Sequence, residues 1–443
     1  MITDKKKVYL KVWGCQMNES DSEIIRSILV QCGFAYISQE EGADIVLLNT
    51  CAVREGAVRR VRSYVHELRY RAKGRKLLIG ILGCIPTHLK ESLVDDKNLD
   101  IDFIAGPDSY RRLPSLIHEV QTKQKKASDL LLTKEENYED IIPARNSGIN
   151  AWVTIMRGCD NFCTYCVVPY TRGRERSKNP KAIIHEIYRA TEKGFPQVTL
   201  LGQNVNSYKY SDWDFTRLLS EVSQIPKLRR LRFVAPHPKD FPQELLEVMQ
   251  NHRNICRHIH LPLQAGNNRI LKMMNRNYTQ EQFLSLVQQM RSFFPTIVLT
   301  TDIIVGFPTE TDEEFNDTFE AMKNIEFDSA FIFKYSQRQG TLAAKRYPDD
   351  VPQVKKTERI VKLNELQKNI STKKNQGHIS EIHEIIIDAE TTSKSKDHFQ
   401  GRNEGNKIVI IPSGPYKKGQ AVAVRITDAS AHTLKGTVVS FET

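Results

Sequence analysis

The sequence predicts an α/β protein in three parts: a doubly wound parallel sheet, an open six-stranded parallel β/α partial barrel of the TIM kind, and a small all-β barrel. Three observations predict it. Apolar strand runs alternate with amphipathic helical runs over the first 120 residues. The same alternation recurs, six strands long, between residues 149 and 350. The last sixty-five or so residues break into short β-like runs separated by turns. A chain of 443 residues exceeds what one core covers, and composition shifts divide it at 6–121, a connection at 122–148, 149–376 and 377–443.

Val8, Leu10 and Val12 alternate as a strand that ends at Trp13-Gly14-Cys15. A helix follows, with Ser20-x-x-Glu23 as its capping box, Ile24, Ile25, Ile28, Leu29 and Cys32 on one face, and Gly33 just past its end. On that face Cys32 reads as a buried thiol. Asp44 to Asn49 is a buried-strand run ending at Thr50-Cys51, and Lys76 to Leu82 another ending at Gly83-Cys84. Between them lies a basic helix from about Glu55 to Lys73. Ile101 to Ala105 is a fourth strand, before a helix near Tyr110 to Val120.

Right-handed crossovers put every carboxyl strand end of such a sheet on one edge, where ligands bind. Cys15, Cys51 and Cys84 all fall on that edge. They are either independent buried thiols or an open three-thiolate metal site, and their shared position favours the site. The 54–76 segment carries nine basic residues, from Arg54 to Lys76, against Glu55 and Glu67. It is a solvated face or a phosphate-contacting one. Residues 121 to 148, with Pro143 and Asn146-Ser147-Gly148, read as a surface connection.

Strands near 151–156, 197–202, 229–234, 257–262, 297–305 and 328–335, and helices near 180–193, 240–251, 279–293 and 311–324, make up the second part. Active sites of β/α barrels sit at the carboxyl strand ends. Directly after the first strand come Cys159, Cys163 and Cys166, spaced C-x3-C-x2-C. Three thiolates hold three irons of a four-iron cluster and leave the fourth open to a small molecule. The next cysteine downstream is Cys256. Zinc would need a distant fourth ligand, and a disulfide would leave one thiol over.

Gly202-Gln203-Asn204, Ala235-Pro236-His237-Pro238, Gln264-Ala265-Gly266 and Gly306-Phe307-Pro308 end the other strands and converge on the mouth. Asp302, on an apolar strand, is a ligand contact or half of a structural pair. His237, His258 and His260 are acid–base groups or structural ones. Arg172, Arg174, Arg176 and Lys178 beside the cysteine loop contact a phosphate backbone or are simply solvated. Val354 to Gln376 reads as a basic connecting helix.

The Cys159-x3-Cys163-x2-Cys166 loop, with Tyr165 before its last cysteine, resembles the motif of the radical S-adenosylmethionine (SAM) enzymes. In that family the open iron binds the amino and carboxylate groups of SAM, and an electron from the cluster cleaves it to a 5′-deoxyadenosyl radical. The resemblance implies SAM contacts at Gly202, Gln203, Asn204, Gln264 and Asp302, although Asn204 stands where an acidic residue is frequent. Gly14-Cys15-Gln16-Met17-Asn18, Asn49-Thr50-Cys51 and Gly83-Cys84 resemble the N-terminal domain of the methylthiotransferases, a branch with an auxiliary cluster. Gly401 to Lys407 resembles a TRAM domain. Cys166-Val167-Val168-Pro169-Tyr170-Thr171-Arg172-Gly173 and Leu200 to Asn206 are most similar to the branch acting on isopentenylated adenosine of tRNA.

That resemblance implies two 4Fe-4S clusters, SAM, an electron donor such as a flavodoxin or ferredoxin, and a methylthio group placed at C2 of N6-isopentenyladenosine at position 37, beside the anticodon. The alternative is a sister activity on threonylcarbamoyladenosine or a ribosomal-protein aspartate; a metal-dependent RNA-binding protein without catalysis is the rival from another class.

The bulk numbers agree with an acidic partner: net charge is +11 and pI about 9.1. The tail itself holds eight basic and eight acidic residues, so composition lends RNA binding no support there. Eight cysteines suggest a reducing compartment. No signal-peptide run or eighteen-residue apolar run occurs, so a cytoplasmic, membrane-free monomer is expected.

Overall fold

The structure, a computed structural model, describes residues 5–52, 56–145, 148–392 and 395–441. Strands β1 (Lys7–Trp13), β2 (Ala35–Tyr36), β3 (Ile45–Thr50), β4 (Leu78–Gly83), β5 (Phe103–Ala105) and β6 (Ala127–Asp129) form one parallel sheet in the order β2-β1-β3-β4-β5-β6. β3 and β4 are buried along their whole length, as a sheet covered on both faces requires. Helices α1 (Gln16–Gln31), α2 (Ala57–Arg71), α3 (Cys84–Leu89), α4 (Glu91–Val94) and α5 (Leu113–Lys123) connect them. Strand order reverses between β1 and β3, which opens a crevice at their carboxyl ends.

Several expectations change here. The first helix begins one turn before Ser20: Cys15 occupies its N-cap, and buried Ser20 instead shares a 2.9 Å hydrogen bond with Thr154. Cys32 is exposed, because α1 ends just before it. The stretch read as a connection supplies edge strand β6 and buries Tyr138, which stacks on Tyr110 with centroids 5.7 Å apart. Arg54, Glu55, Asn146 and Ser147 lie outside the described residues.

The second part runs β7 (Asn150–Thr154), β8 (Met156–Arg157), α6 (Val168–Arg172), β9 (Arg176–Ser177), α7 (Pro180–Glu192), β10 (Gln197–Leu201), β11 (Lys209–Tyr210), β12 (Trp213–Asp214) and α8 (Phe215–Ser223). It continues with β13 (Arg230–Phe233), α9 (Gln243–Asn251), β14 (His258–His260), α10 (Asn268–Met273), α11 (Gln280–Phe293), β15 (Val298–Val305), α12 (Asp312–Ile325) and β16 (Ser329–Lys334). β7, β10 and β13 pair in parallel, as do β14, β15 and β16, and a parallel Leu231–Ile255 bridge joins the two groups. Among the described residues β16 does not pair with β7, so the barrel is open.

Helix α8 is additional to the helices expected from the sequence. Its signal is present: Asp214 caps Arg217 N, and Phe215, Leu218, Leu219 and Val222 form one buried face.

After α13 (Leu342–Arg346), helix α14 (Gln353–Gln376) packs on the barrel. Its positive charge is largely spent internally, contrary to a free basic connector. Lys356 pairs with Asp349, Arg359 with Glu310, Lys355 with Asp312, and Lys374 with Asp328. The tail is a closed five-stranded barrel of β17 (Ile382–Ala389), β18 (His398–Asn403), β19 (Ile408–Pro412), β20 (Ala421–Ala429) and β21 (Thr433–Phe441), ordered β17-β18-β19-β21-β20. No described helix is long and apolar enough to cross a membrane.

Candidate active site

The loop of Cys159, Cys163 and Cys166 leaves β8 at the carboxyl end of the barrel. It is braced from every side. Gly158 N donates to Gln203 Oε1 at 2.6 Å, and Cys159 N to Gly173 O at 3.2 Å. Thr164 N donates to Met274 O at 3.0 Å, and Asn275 Nδ2 reaches Asn161 O at 2.9 Å. Arg276 Nη1 donates to Cys163 Sγ at 3.3 Å, a charge-assisted contact to one of the thiols.

Burial pushes the Cys159 thiol up to about 11 and the Cys166 thiol up to about 12, and neighbouring Cys163 adds to both. A bound cation reverses that balance, because a coordinating thiol is deprotonated outright.

Gly158 is the hinge of this loop. Its φ is +80°, and a Cβ there would sit 2.0 Å from the backbone oxygen of Arg174. Gly158→Ala should therefore displace the cysteines without touching the cores. The expected result is a folded protein by circular dichroism that takes up roughly half the iron of the parent on anaerobic reconstitution. Parental iron loading would refute the packing argument.

The other mouth residues divide by role. Gly202 is required by packing, since a Cβ would lie 2.7 Å from Met156 Cγ. Gln203 spends its side-chain oxygen on the cysteine loop. Buried Asn204 accepts from His237 N at 3.2 Å. Gln264, at φ +70°, has a buried Oε1 without a hydrogen-bond partner. Asp302 pairs with His260 Nε2 at 3.2 Å, and His258 and His260 both contact Thr300 Oγ1. His237 accepts Lys239 N at Nδ1, which leaves Nε2–H as a donor, buried and unpartnered. Burial, with Arg276 and Lys239 nearby, lowers its imidazole to about 2, so it stays neutral.

The second set also meets. Cys15 caps α1 and Cys51 follows β3 at the switch point of the N-terminal sheet, and Cys84 opens α3 after the neighbouring strand β4. A hydrogen bond with Cys51, helped by nearby Arg172 and the Asn18 and Met17 backbone, brings the Cys15 thiol down to about 6 against the effect of burial. A buried amide network ties the three strand ends together. Asn18 Nδ2 donates to Asn49 Oδ1, and Asn49 Nδ2 to Asn18 O, each at 2.9 Å. Gly83, at φ +91°, lets Asn49 and Thr50 approach. The sequence offered Asn18 and Asn49 only as parts of a phrase; their structural work needs the fold.

Arg172 and Arg176 correct the phosphate-contact expectation. Arg172 is 3% exposed and bonds Asp21 at 2.9 Å; Arg176 bonds Asp108 at 2.9 Å, and Lys178 bonds Glu186 at 2.5 Å. Arg157 also bonds Asp21, at 2.6 Å. The Asp21 and Asp108 pairs join the N-terminal sheet to the barrel, whereas Lys178–Glu186 lies within the barrel part. Of the three arginines only Arg174 is exposed, over the Phe162 ring and paired with Asp160.

Both cysteine sets fit a metal cluster. Each offers three soft donors and an open position, and the buried, unpartnered Nη1 of Arg172 belongs to a guanidinium lying beside Cys84.

A three-thiolate loop at the carboxyl mouth of an open parallel barrel defines a radical SAM enzyme. Residues 153–322 match the Radical SAM superfamily, residues 7–106 Uncharacterized protein family UPF0004, and residues 380–439 the TRAM domain. Relatives named tRNA-2-methylthio-N(6)-dimethylallyladenosine synthase include one from Chloroherpeton thalassium, 42% identical over 98% of this chain and 96% of that one. Another, from Azobacteroides pseudotrichonymphae, is 43% identical over 97% and 96%. The chain belongs to this family of radical SAM enzymes. In fold it is similar to the radical SAM methyltransferase TsrM from Kitasatospora setae, with a TM-score of 0.58 and 14% identity over 77% of this chain and 74% of that one.

Proposed function

We propose that the protein adds a methylthio group to C2 of N6-dimethylallyladenosine (the same group as N6-isopentenyladenosine) at position 37 of tRNA. The observation that carries this reading is the pair of open three-cysteine sets, one at each ligand edge of two joined parallel folds. The relatives' names give the substrate.

Cys159, Cys163 and Cys166 would hold one 4Fe-4S cluster, and Cys15, Cys51 and Cys84 the auxiliary one. When bound, the first supplies the electron that cleaves SAM to a carbon radical, and the second serves sulfur delivery. The chain's own residues do the rest. Gln203, Asn275 and the Thr164 backbone hold the first loop rigid. Gly202, Asn204, Gln264 and Asp302 shape the SAM side of the mouth, with Gln264 Oε1 a free acceptor. His237 Nε2–H offers a neutral donor there. An adenine must be unpaired and turned out to enter such a mouth, which suits an anticodon-loop base.

Arg174 and the exposed Arg59 and Arg60 of α2 are the phosphate contacts of this reading. We take the domains to run 6–121, 149–376 and 377–443, the chain to act as a cytoplasmic monomer, and the electron to come from a flavodoxin or ferredoxin.

The test is anaerobic incubation of the reconstituted enzyme with SAM, reductant and tRNA carrying N6-dimethylallyladenosine, followed by nucleoside mass spectrometry. A methylthio adduct on that nucleoside, absent from tRNA lacking the dimethylallyl group, is expected. Product on threonylcarbamoyladenosine or on a ribosomal-protein aspartate instead would assign the chain to a sister activity.

A further inference from the structure

We infer that Arg172 is a positioning residue for the N-terminal three-thiolate site, its guanidinium compensating the negative charge of a cluster held by Cys15, Cys51 and Cys84; this rests on the reading of those cysteines as cluster ligands. Arg172 ends α6, six residues after Cys166, yet its side chain crosses to the other domain, where α6 packs on α3 beside Cys84. The segment that leaves one cysteine set thus delivers a cation to the other.

Asp21 is fully buried and carries one negative charge, but two buried guanidiniums, Arg157 and Arg172, bond to it. Tyr110 and Tyr138, which line the same pocket, stay neutral because burial raises both phenols. Arg176 and Asp108 cancel one another. One positive charge is left over, and an uncompensated buried charge is strongly unfavourable. Nη1 of Arg172 is buried without a partner, as are Nε and Nη1 of Arg157, whose guanidinium lies over the Tyr138 ring.

The nearby anion is the cysteine set. Cys84 opens α3, the helix on which α6 packs, and Arg172 is the last residue of α6. Three thiolates around a doubly positive four-iron core leave one net negative charge, which matches the surplus. Hydrogen bonds and net charge around the sulfurs are what set such a cluster's potential. The bland alternative is that Arg172 only clamps the domains through Asp21. That role leaves the surplus charge without a counter-ion.

The experiment uses the full chain with Cys159, Cys163 and Cys166 changed to Ala, so that only the N-terminal site can load. Iron content of that protein tests the underlying reading: no iron means these cysteines hold no cluster. With iron present, Arg172→Gln is introduced and the cluster's midpoint potential is followed by EPR-monitored titration, with its loss to a chelator alongside. The expected result is a more negative potential and several-fold faster iron loss, both largely restored in Arg172→Lys. Iron at parental content with an unchanged potential and chelator rate would overturn the role of Arg172 and leave the cluster assignment standing. If Arg172→Gln does not fold, it is combined with Asp21→Asn, which removes the stranded carboxylate with the cation; a potential and chelator rate equal to those of Asp21→Asn alone overturn the proposal.

Discussion

Changing Cys159, Cys163 and Cys166 together to Ala should abolish reductive cleavage of SAM and leave about four of about eight irons. Changing Cys15, Cys51 and Cys84 instead should leave a similar iron content and intact cleavage, yet no methylthiolated tRNA. The separation follows from the architecture. The first set sits on a loop whose braces, Gln203, Met274, Asn275 and Arg276, all belong to the barrel. The second is tied by Asn18 and Asn49 within the N-terminal sheet. Neither brace uses the other's cysteines, so losing one set should not collapse the other. Formation of 5′-deoxyadenosine reports the first site and nucleoside analysis the second. Full product from Cys51→Ala would sink the auxiliary role, and loss of all iron from either triple variant would sink their independence.

The cysteines were legible in the sequence because metal ligation imposes local spacing at 159–166 and because strand–helix alternation places residues 15, 51 and 84 on one edge. The βα order was legible for the same reason: fully buried strands such as β3 and β4 read as unbroken apolar runs. The arginines were not. A basic run announces its charge but not its partners, and Asp21 and Asp108 lie 151 and 68 residues from Arg172 and Arg176. A charge run beside a cluster site is equally consistent with RNA and with a buried domain seam, and only the fold separates these. Helix α8 escaped because its nine residues fall between tight turns, though its cap and apolar spacing were both there. Tyr138 escaped because a polar surrounding segment masked one deeply buried ring.

Asp21→Ala should be the most destabilising single change on the domain seam, costing about 3–5 kcal/mol in the urea unfolding of the full chain. Asp21 is fully buried and accepts from Arg157 at 2.6 Å, Arg172 at 2.9 Å and the Tyr110 hydroxyl at 3.3 Å. Its removal strands two guanidiniums away from water and opposes them to one another. Asp140→Ala is the matched control, because the Asp140–Arg111 pair is largely exposed and should cost at most about 1 kcal/mol.

The pH dependence has a definite sign. Burial works to raise the Asp21 carboxyl, but Arg157 and Arg172 outweigh it and hold it below the usual carboxylate range. A depressed folded value means the stabilisation is present above the unfolded pKa of about 3.9 and is lost only as pH falls from there through the folded value. The gap between parent and Asp21→Ala should accordingly stay constant from neutral pH down to about pH 5 and narrow below about pH 4. Equal losses in Asp21→Ala and Asp140→Ala, or a gap that closes near neutral pH, would show that the buried carboxylate does not hold the two domains together.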